Sequence, residues 1–388
     1  MAGVGAGSRL KKLRIGVVYG GRSGEHEVSL ASAAAVFQNL DPEKYEPLAI
    51  RIEKDGRWTL PRKPPSLMSA ADVIHAASAE GGRLGDGARE AHLVAHPGTE
   101  TMLTIDRRDD RATVSSLGLD VVFPVLHGPY GEDGTVQGLL ELANVAYVGA
   151  GVLASAVGMD KATMKLVFVA KGLPVCDYEV VLKRDWQKDE RAVIQAVVAK
   201  LGFPLFVKPA NLGSSVGISK AKHAAELRDA IALAGEFDRK IVVEAAVPQA
   251  REIECAVLGN DEPEASMPGE VIPSREFYDY QAKYLDDASK TVIPAKITKA
   301  QTREVRRLAI AAFKAIDGAG MARVDFLLGG DRGMLYVNEV NTIPGFTTIS
   351  MYSKMWDASG LPYPKLLDRL IELAIERHAE KQQLRTSM

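Results

Sequence analysis

The stretch LRIGVVYGGRSGEHEVS, residues 13–29, decides how the chain begins to fold. Its first seven residues are mostly apolar and rich in valine and isoleucine, a composition that predicts a buried strand. Adjacent glycines then interrupt the pattern, and a helix-forming stretch follows. A strand, a glycine-rich turn and a helix in this order predict an open α/β sheet whose functional loops lie at the carboxyl ends of its strands.

A second loop of the same kind follows the apolar run DVVFPVL, residues 120–126. The run ends at His127 and passes into the turn-rich GPYGEDG. Glu25 and His127 therefore both lie in loops that follow predicted strands, where polar side chains can contact a ligand. A lone histidine is more often structural than catalytic, and the residues alone leave both roles open for His127.

The composition of the 388 residues bounds the class of protein. Hydrophobic residues make up 46% and charged residues 25%, which is typical of a globular protein with two or three domains. Lys and Arg total 48 against 50 Asp and Glu, so the net charge of -2 gives no bulk reason to expect nucleic acid or an anionic membrane as partner. We find no run of about 18 apolar residues and no signal-peptide core, and we expect a cytoplasmic protein.

The two cysteines, Cys176 and Cys255, form no CxxC pair and have no histidine cluster nearby. This spacing favours idle thiols over a disulfide or a metal site. The sequence therefore predicts two buried cysteines without a role in the chemistry.

The pattern of apolar residues divides the chain into three segments. Residues 1–150 carry the α/β pattern, with a polar, Pro- and Gly-rich stretch at about 54–117 that we expect to be a peripheral insertion. Residues 151–247 and 248–388 mix helices with short strands, and residues 153–171 have helical spacing throughout. The predicted fold class is α/β followed by α+β.

The segment KPANLGSSVG, residues 208–217, is the strongest phosphate-binding signal. Gly213 and Gly217 let the backbone approach an anion, Ser214 and Ser215 add hydroxyl donors, and Lys208 supplies positive charge. Such a loop by itself is more often only a flexible turn. Its spacing does not match GxxxxGK[ST], so it is not a P-loop.

Two neighbouring apolar strands near the C-terminus, ARVDFLL and YVNEVN, carry oxygen ligands. Glu339 and Asn341 are two residues apart and face the same side of a strand, so with Asp325 they form a hard-oxygen set suited to magnesium. Arg323 projects to the same face as Asp325 and is placed to stabilise developing negative charge. A solvated edge carboxylate is the alternative, but buried strands favour the metal.

Taken together, five segments resemble, in order and over nearly the whole chain, the D-alanine:D-alanine ligases of the ATP-grasp superfamily. The segments are GGRSGEHEVS, HGPYGEDGTVQG, KPANLGSSVG, FYDYQAKY, and ARVDF with NEVNTIPGFT. The resemblance implies a three-domain ATP-grasp fold, with an N-terminal domain built on an open parallel sheet and with ATP held between the central and C-terminal domains. It also implies two Mg²⁺ or Mn²⁺ ions, two D-alanine substrates, release of ADP and phosphate, and a homodimer.

The resemblance assigns roles by position. Residues implied to bind ATP are Lys161, Lys208, Ser214, Ser215, Glu244, Val247, Glu252 and Lys283. Residues implied to bind the metals are Asp325, Glu339 and Asn341. Residues implied to bind D-alanine or the transferred phosphate are Glu25, His127, Lys283 and Ser350. Residues implied to orient the site or stabilise the oxyanion are Glu25, Ser214, Tyr284, Arg323 and the amide of Gly345.

Three alternatives remain open at this point. A ligase that joins D-alanine to D-lactate differs in the mobile loop, where the Lys283–Tyr284 pair here matches the dipeptide-forming branch. A nucleotide-binding protein without turnover would have lost catalytic residue types, and this chain keeps them. Another ATP-grasp ligase for a different amino acid would lack the EHEVS and HGPYGEDG pair.

Overall fold

Eight strands form the first sheet. They are β1 (Leu13–Gly20), β2 (Tyr45–Ile52), β3 (Trp58–Leu60), β4 (Arg89–Leu93), β5 (Met102–Arg108), β6 (Arg111–Leu117), β7 (Val121–Val125) and β8 (Ala146–Tyr147). Their order across the sheet is β6-β5-β4-β3-β2-β1-β7-β8. This computed structural model describes residues 11–66, 88–108, 111–213, 215–272, 290–329, 333–347 and 349–385.

The first sheet is mixed rather than parallel throughout. β1 pairs in parallel with β2 and β7, and β7 pairs in parallel with β8, as the strand–turn–helix pattern predicted. The polar stretch that we expected to be a peripheral insertion supplies, in its described parts, β3 to β6, which extend one edge of the same sheet as antiparallel strands. Nearly all side chains of β6 are exposed, so it lacks the apolar alternation that identifies a strand.

Four helices follow strands of the first sheet, and the last two of them lead from β8 to the second sheet. They are α1 (His26–Asn39), α2 (Thr135–Leu142), α3 (Val152–Met159) and α4 (Lys161–Ala170). The single helical run expected over residues 153–171 is divided at Asp160, where the backbone is extended. The Asp160 side chain accepts a hydrogen bond from the Thr163 amide and so begins α4 as an N-cap.

The second sheet is antiparallel, with the order β11-β10-β12-β9. Its strands are β9 (Tyr178–Leu182), β10 (Leu205–Pro209), β11 (Ser219–Ala221) and β12 (Lys240–Ala245). Helices α5 (Lys183–Lys188), α6 (Glu190–Leu201) and α7 (Ala224–Phe237) supply apolar side chains that share one core with it. The phosphate-binding segment predicted from the sequence begins on β10 and ends at Gly217, just before β11.

The third sheet is also antiparallel, with the order β16-β15-β13-β17-β18 and β14 beside β13. Its strands are β13 (Arg251–Gly259), β14 (Glu264–Ala265), β15 (Gly269–Ile272), β16 (Lys290–Val292), β17 (Gly320–Gly329) and β18 (Met334–Asn341). Helix α8 (Lys299–Ala315) begins at a capping box of Thr298 and Gln301 and packs its apolar face on this sheet.

The last two helices, α9 (Met351–Asp357) and α10 (Tyr363–Gln382), join the first sheet to the third. Their apolar side chains lie in one core cluster with residues of β1, β7, β13 and β17. Asp368 of α10 also accepts hydrogen bonds from Lys44 at 2.7 Å and Tyr45 at 3.0 Å. The first and third sheets therefore pack against the same pair of helices.

Two further expectations concern single features. Cys176 and Cys255 are both buried and free, as predicted. Within the part of the chain that the structure describes, no helix is long and apolar enough to cross a membrane.

Candidate active site

Lys208 of β10 joins the second sheet to the third. Its Nζ lies 2.7 Å from Glu244 Oε2 on β12 and donates a hydrogen bond to Asn338 Oδ1 on β18 at 3.4 Å. Burial alone would lower the pKa of Lys208, but the Glu244 carboxylate raises it above its ordinary value. Lys208 therefore remains a cation at the junction of the two sheets, available to an anionic ligand.

Lys165 of α4 is a second cation beside Glu244 and was not predicted from the sequence. Its Nζ lies 3.0 Å from Glu244 Oε1, and its side chain is fully buried. Burial alone would raise the pKa of Glu244, but Lys165 and Lys208 together lower it to about 2. Glu244 is therefore an ionised carboxylate in the interior at neutral pH.

Strands β17 and β18 bring four predicted site residues to one face of the third sheet. Asp325 lies opposite Glu339, and Arg323 lies opposite Asn341. Arg323 donates two parallel hydrogen bonds to Asp325, at 2.6 and 2.7 Å, and Asn341 Nδ2 donates to Asp325 Oδ2 at 2.9 Å. The register thus places all four on the face that their alternation predicted.

Glu254 of β13 extends this row and was also not predicted. It lies opposite Asp325 in the sheet, and its Oε2 is 3.2 Å from Arg323 Nε. Burial alone would lower the pKa of Arg323, but Asp325 and Glu254 hold it well above its ordinary value. The guanidinium is therefore a permanent cation fixed between two carboxylates.

The donors on this face fit a divalent metal ion by their chemistry. Asp325, Glu339 and Asn341 carry the oxygen ligands that magnesium prefers. This set consists of two carboxylates and one amide. Among the described residues, no group of three His, Cys, Asp or Glu side chains could hold a metal ion. Protein cations hold both carboxylates: Arg323 holds Asp325, and Lys161 Nζ lies 3.3 Å from Glu339 Oε2.

Glu25 lies between two glycine loops. A methyl group added at Gly213 would come within 2.8 Å of Glu25 Oε2, and one at Gly128 would come within 2.7 Å. The same 211–217 loop is attached to α4, because Lys161 Nζ donates to the Leu212 carbonyl at 2.9 Å. The loop that follows β1 and the predicted phosphate-binding loop therefore meet at the Glu25 carboxylate.

His127, only 5% exposed, ties three segments together. Its Nδ1 donates to the Ile343 carbonyl at 3.1 Å, and its Nε2 lies 3.3 Å from Ser32 Oγ of α1. Burial alone would lower the pKa of His127, but Glu132 and Glu25 raise it above its ordinary value. The imidazole is therefore biased toward its cationic form next to Glu25.

The loop after β18 carries Gly345 and Ser350. Ser350 Oγ accepts a hydrogen bond from the Thr347 amide at 3.0 Å and lies 2.7 Å from Thr347 Oγ1. A methyl group at Gly345 would come within 3.1 Å of Ser350 Oγ. The Phe346 amide donates to Ser32 Oγ at 3.2 Å, so this loop is fixed to the first sheet's helix.

The remaining predicted residues differ in what the structure shows of them. Ser215 lies in the 211–217 loop with a φ of 58°, Val247 follows β12 and is half-buried, and Glu252 lies on β13. Ser214, Lys283 and Tyr284 lie outside the described residues. The triad of Glu25, Ser214 and Tyr284 therefore stays a prediction.

The arrangement of sheets and charges defines a class of enzyme. Two antiparallel sheets meet at lysines on one side and at carboxylates with an arginine on the other, which suits a nucleoside triphosphate and the carboxylate that it activates. This is the architecture of an ATP-grasp ligase.

Comparison with known proteins identifies the family within that class. Models described as the D-ala D-ala ligase N-terminus and C-terminus match residues 14–150 and 167–372. A D-alanine–D-alanine ligase from Geobacillus thermodenitrificans is 47% identical over 379 residues, with 96% of this chain and 98% of that protein covered.

Solved structures agree. The D-alanine-D-alanine ligase from Coxiella burnetii matches with a TM-score of 0.80 at 40% identity, covering 96% of both chains. VanG D-Ala:D-Ser ligase from Enterococcus faecalis matches with a TM-score of 0.80 at 35% identity, covering 94% of this chain and 100% of that one. The chain belongs to the D-alanine–D-alanine ligase family, and it is an ATP-using, ADP-forming ligase.

Proposed function

We propose that this chain joins two molecules of D-alanine into D-alanyl-D-alanine for peptidoglycan synthesis, with release of ADP and phosphate. The observation that carries the proposal is the face of the third sheet, where Arg323, Asp325, Glu339 and Asn341 lie across from the cations Lys161 and Lys208. Family membership over nearly the whole chain supports the same reaction.

The chemistry proceeds in two steps. A carboxylate is a poor acceptor for an amine, so a carboxylate oxygen of the first D-alanine attacks the γ-phosphorus of ATP, and ADP leaves. The product is D-alanyl phosphate. The deprotonated amine of the second D-alanine then attacks the acyl carbon, and the tetrahedral oxyanion collapses with loss of phosphate. Arg323 is placed to stabilise charge in both steps, because its guanidinium is a fixed cation at this face.

We assign the nucleotide to the junction of the second and third sheets. Lys161, Lys208 and the loop with Ser214 and Ser215 would hold the phosphates. Glu244 and Val247 would lie at the adenine and Glu252 at the ribose. Asp325, Glu339 and Asn341 would hold two magnesium or manganese ions, which neutralise the phosphate charge when bound.

We assign D-alanine to the junction of the first sheet with the glycine loops. Glu25 would pair with the ammonium of the first D-alanine, and His127 would lie beside its reacting carboxylate. Ser350 would hold the carboxylate of the second D-alanine, and the Gly345 amide would join Arg323 at the oxyanion. Lys283 would meet the transferred phosphate. Tyr284 and Ser214 would complete the triad with Glu25.

The organisation of the molecule is part of the same proposal. We divide it into an N-terminal substrate domain at 1–150, a central domain at 151–247 and a C-terminal domain at 248–388. A homodimer in the cytoplasm is the proposed working form.

Steady-state release of phosphate tests the proposed function. The purified protein is assayed with ATP, magnesium and D-alanine, and in parallel with L-alanine, with D-alanine plus D-lactate, and with D-alanine plus D-serine. We expect phosphate release to require D-alanine. We also expect D-alanyl-D-alanine to be the product in every mixture that contains D-alanine. Release without D-alanine, or a mixed product that exceeds the dipeptide, would contradict the proposal.

Replacing Gly213 with alanine tests the position assigned to Glu25. The added methyl group would lie 2.8 Å from Glu25 Oε2 and push the carboxylate away. We expect kcat/KM for D-alanine to fall about ten-fold, because a displaced binding group loses its alignment with the substrate. Steady-state kinetics measure this. Gly138→Ala on α2, where no atom lies within 4 Å, is the matched control. Equal kinetics for the two variants would remove Glu25 from the site.

A further inference from the structure

Lys165 is a lysine whose side chain is fully buried among apolar residues. It lies on α4 between Met164 and Phe168, and all three side chains are fully buried. Its Nζ contacts Glu244 Oε1 at 3.0 Å and Cys176 Sγ at 3.7 Å. An ammonium group in such surroundings is costly unless it is paired. Its charge is therefore committed to Glu244.

Each carboxylate oxygen of Glu244 pairs with a different lysine, and the two lysines differ in whether a ligand can reach them. Lys208 pairs with Oε2, also contacts Asn338 on the third sheet, and feels the charge of Glu339. It faces the junction that we assign to the nucleotide. Lys165 pairs with Oε1 from the core side. A bound polyphosphate would form an ion pair with Lys208 and weaken its pairing with Glu244. The ion pair between Lys165 and Glu244 would stay unchanged.

We propose that Lys165 is a positioning residue for nucleotide binding. It keeps Glu244 ionised and in place when Lys208 pairs with the phosphates of ATP. The inference rests on the proposed function of the site, in which Glu244 lies at the adenine. A carboxylate held there accepts a hydrogen bond from the exocyclic amino group of adenine. Lys165 would thus act on ATP through Glu244 without touching it.

Removal of Lys165 would make ATP binding depend on pH. The titratable groups around Glu244 are Lys165 from α4, Lys208 from β10, Cys176 just before β9, and Tyr178 at the start of β9. Two lysines hold the pKa of Glu244 at about 2, so the wild-type carboxylate does not titrate near neutrality. Without Lys165, the lysine left beside Glu244 in the ATP complex is Lys208, which also pairs with the phosphates. The pKa of Glu244 in that complex therefore rises. ATP binding to that variant then takes up a proton and strengthens as the pH falls.

Calorimetric titration with a non-hydrolysable ATP analogue and magnesium tests the proposal. Lys165→Met should bind the analogue about ten-fold more weakly than the wild type at pH 8, and the difference should shrink toward pH 6. Lys171→Met, an exposed lysine at the end of the same helix, is the matched control and should match the wild type. A Lys165→Met affinity equal to that of the control, or a loss that does not depend on pH, would overturn the proposal.

A double-mutant cycle keeps the test decisive even where Lys165→Met folds poorly. If Lys165 acts through the charge of Glu244, then Lys165→Met should change the affinity less than about two-fold in the Glu244→Gln background. A large loss in that background would show that Lys165 acts otherwise. The titrations contain no D-alanine. A chain that shows no D-alanine-dependent turnover would therefore fail the proposed function and still give a clear result here.

Discussion

Replacing Arg323 with lysine is expected to lower kcat about 10²–10³-fold, the usual cost of losing a donor at a developing oxyanion. Arg323 makes two parallel hydrogen bonds to Asp325 and a third contact to Glu254 at 3.2 Å. A lysine is a point charge on a flexible stem and cannot reproduce this planar arrangement. The ammonium would therefore sit away from the acyl carbon, and steady-state kinetics should show the loss in kcat rather than in KM.

The same sheet offers a matched control on its other face. Arg251 makes the same kind of paired contact, with Glu270 at 2.8 and 2.7 Å. Arg251→Lys should leave kcat nearly unchanged, because that pair lies away from the site. If Arg323→Lys and Arg251→Lys gave equal kcat values, the role assigned to Arg323 would be wrong.

Replacing Lys208 with methionine is expected to weaken ATP binding at least about 30-fold, the lower end of the cost of breaking a buried charge pair. Lys208 pairs with Glu244 at 2.7 Å and bridges to Asn338 of the third sheet. The change removes a cation assigned to the phosphates and leaves Glu244 with Lys165 alone. Calorimetry with the ATP analogue measures the loss, and KM for D-alanine should change far less.

The control for Lys208 is a lysine of the same half of the chain with a surface partner. Lys200 on α6 forms an ion pair with Glu179, and its side chain is 66% exposed. Lys200→Met should bind ATP like the wild type, because an exposed pair contributes little. A Lys208→Met variant that lost ATP and D-alanine affinity equally would count against an assignment to the nucleotide.

Strand alternation made much of this site predictable. Residues two apart on a strand face the same side, so the amino-acid sequence alone pairs Arg323 with Asp325 and Glu339 with Asn341. The register of β17 and β18 then supplies the missing fact that Asp325 lies opposite Glu339. The resemblance of five ordered segments predicted the family and the ATP-grasp fold, and both are confirmed.

Residues whose role depends on burial were not predictable in the same way. Lys165 lies four residues after Lys161 in KATMKLVF, and its apolar neighbours were the one hint that it faces the core. Glu254 lies two residues after Glu252 and so shares its face, but its contact with Arg323 depends on the pairing of β13 with β17. Long-range pairing is set by the whole fold.

The extent of the first sheet was missed for a related reason. The strands β4 to β6 pair with one another as antiparallel strands, and β6 exposes nearly all its side chains. Backbone hydrogen bonds do not depend on side-chain identity, so a polar strand leaves little trace in the sequence. The break at Asp160 was missed because the apolar pattern runs on through both helices.

The fate of carboxylate oxygen tests the central claim most directly. D-alanine labelled with ¹⁸O in its carboxylate is incubated with ATP, magnesium and the protein, and the released phosphate is analysed by mass spectrometry. If D-alanyl phosphate forms, each phosphate carries one ¹⁸O atom from the first D-alanine, and the peptide carbonyl keeps the other. Phosphate without the label would contradict attack of the carboxylate on ATP, and with it the mechanism proposed for this chain.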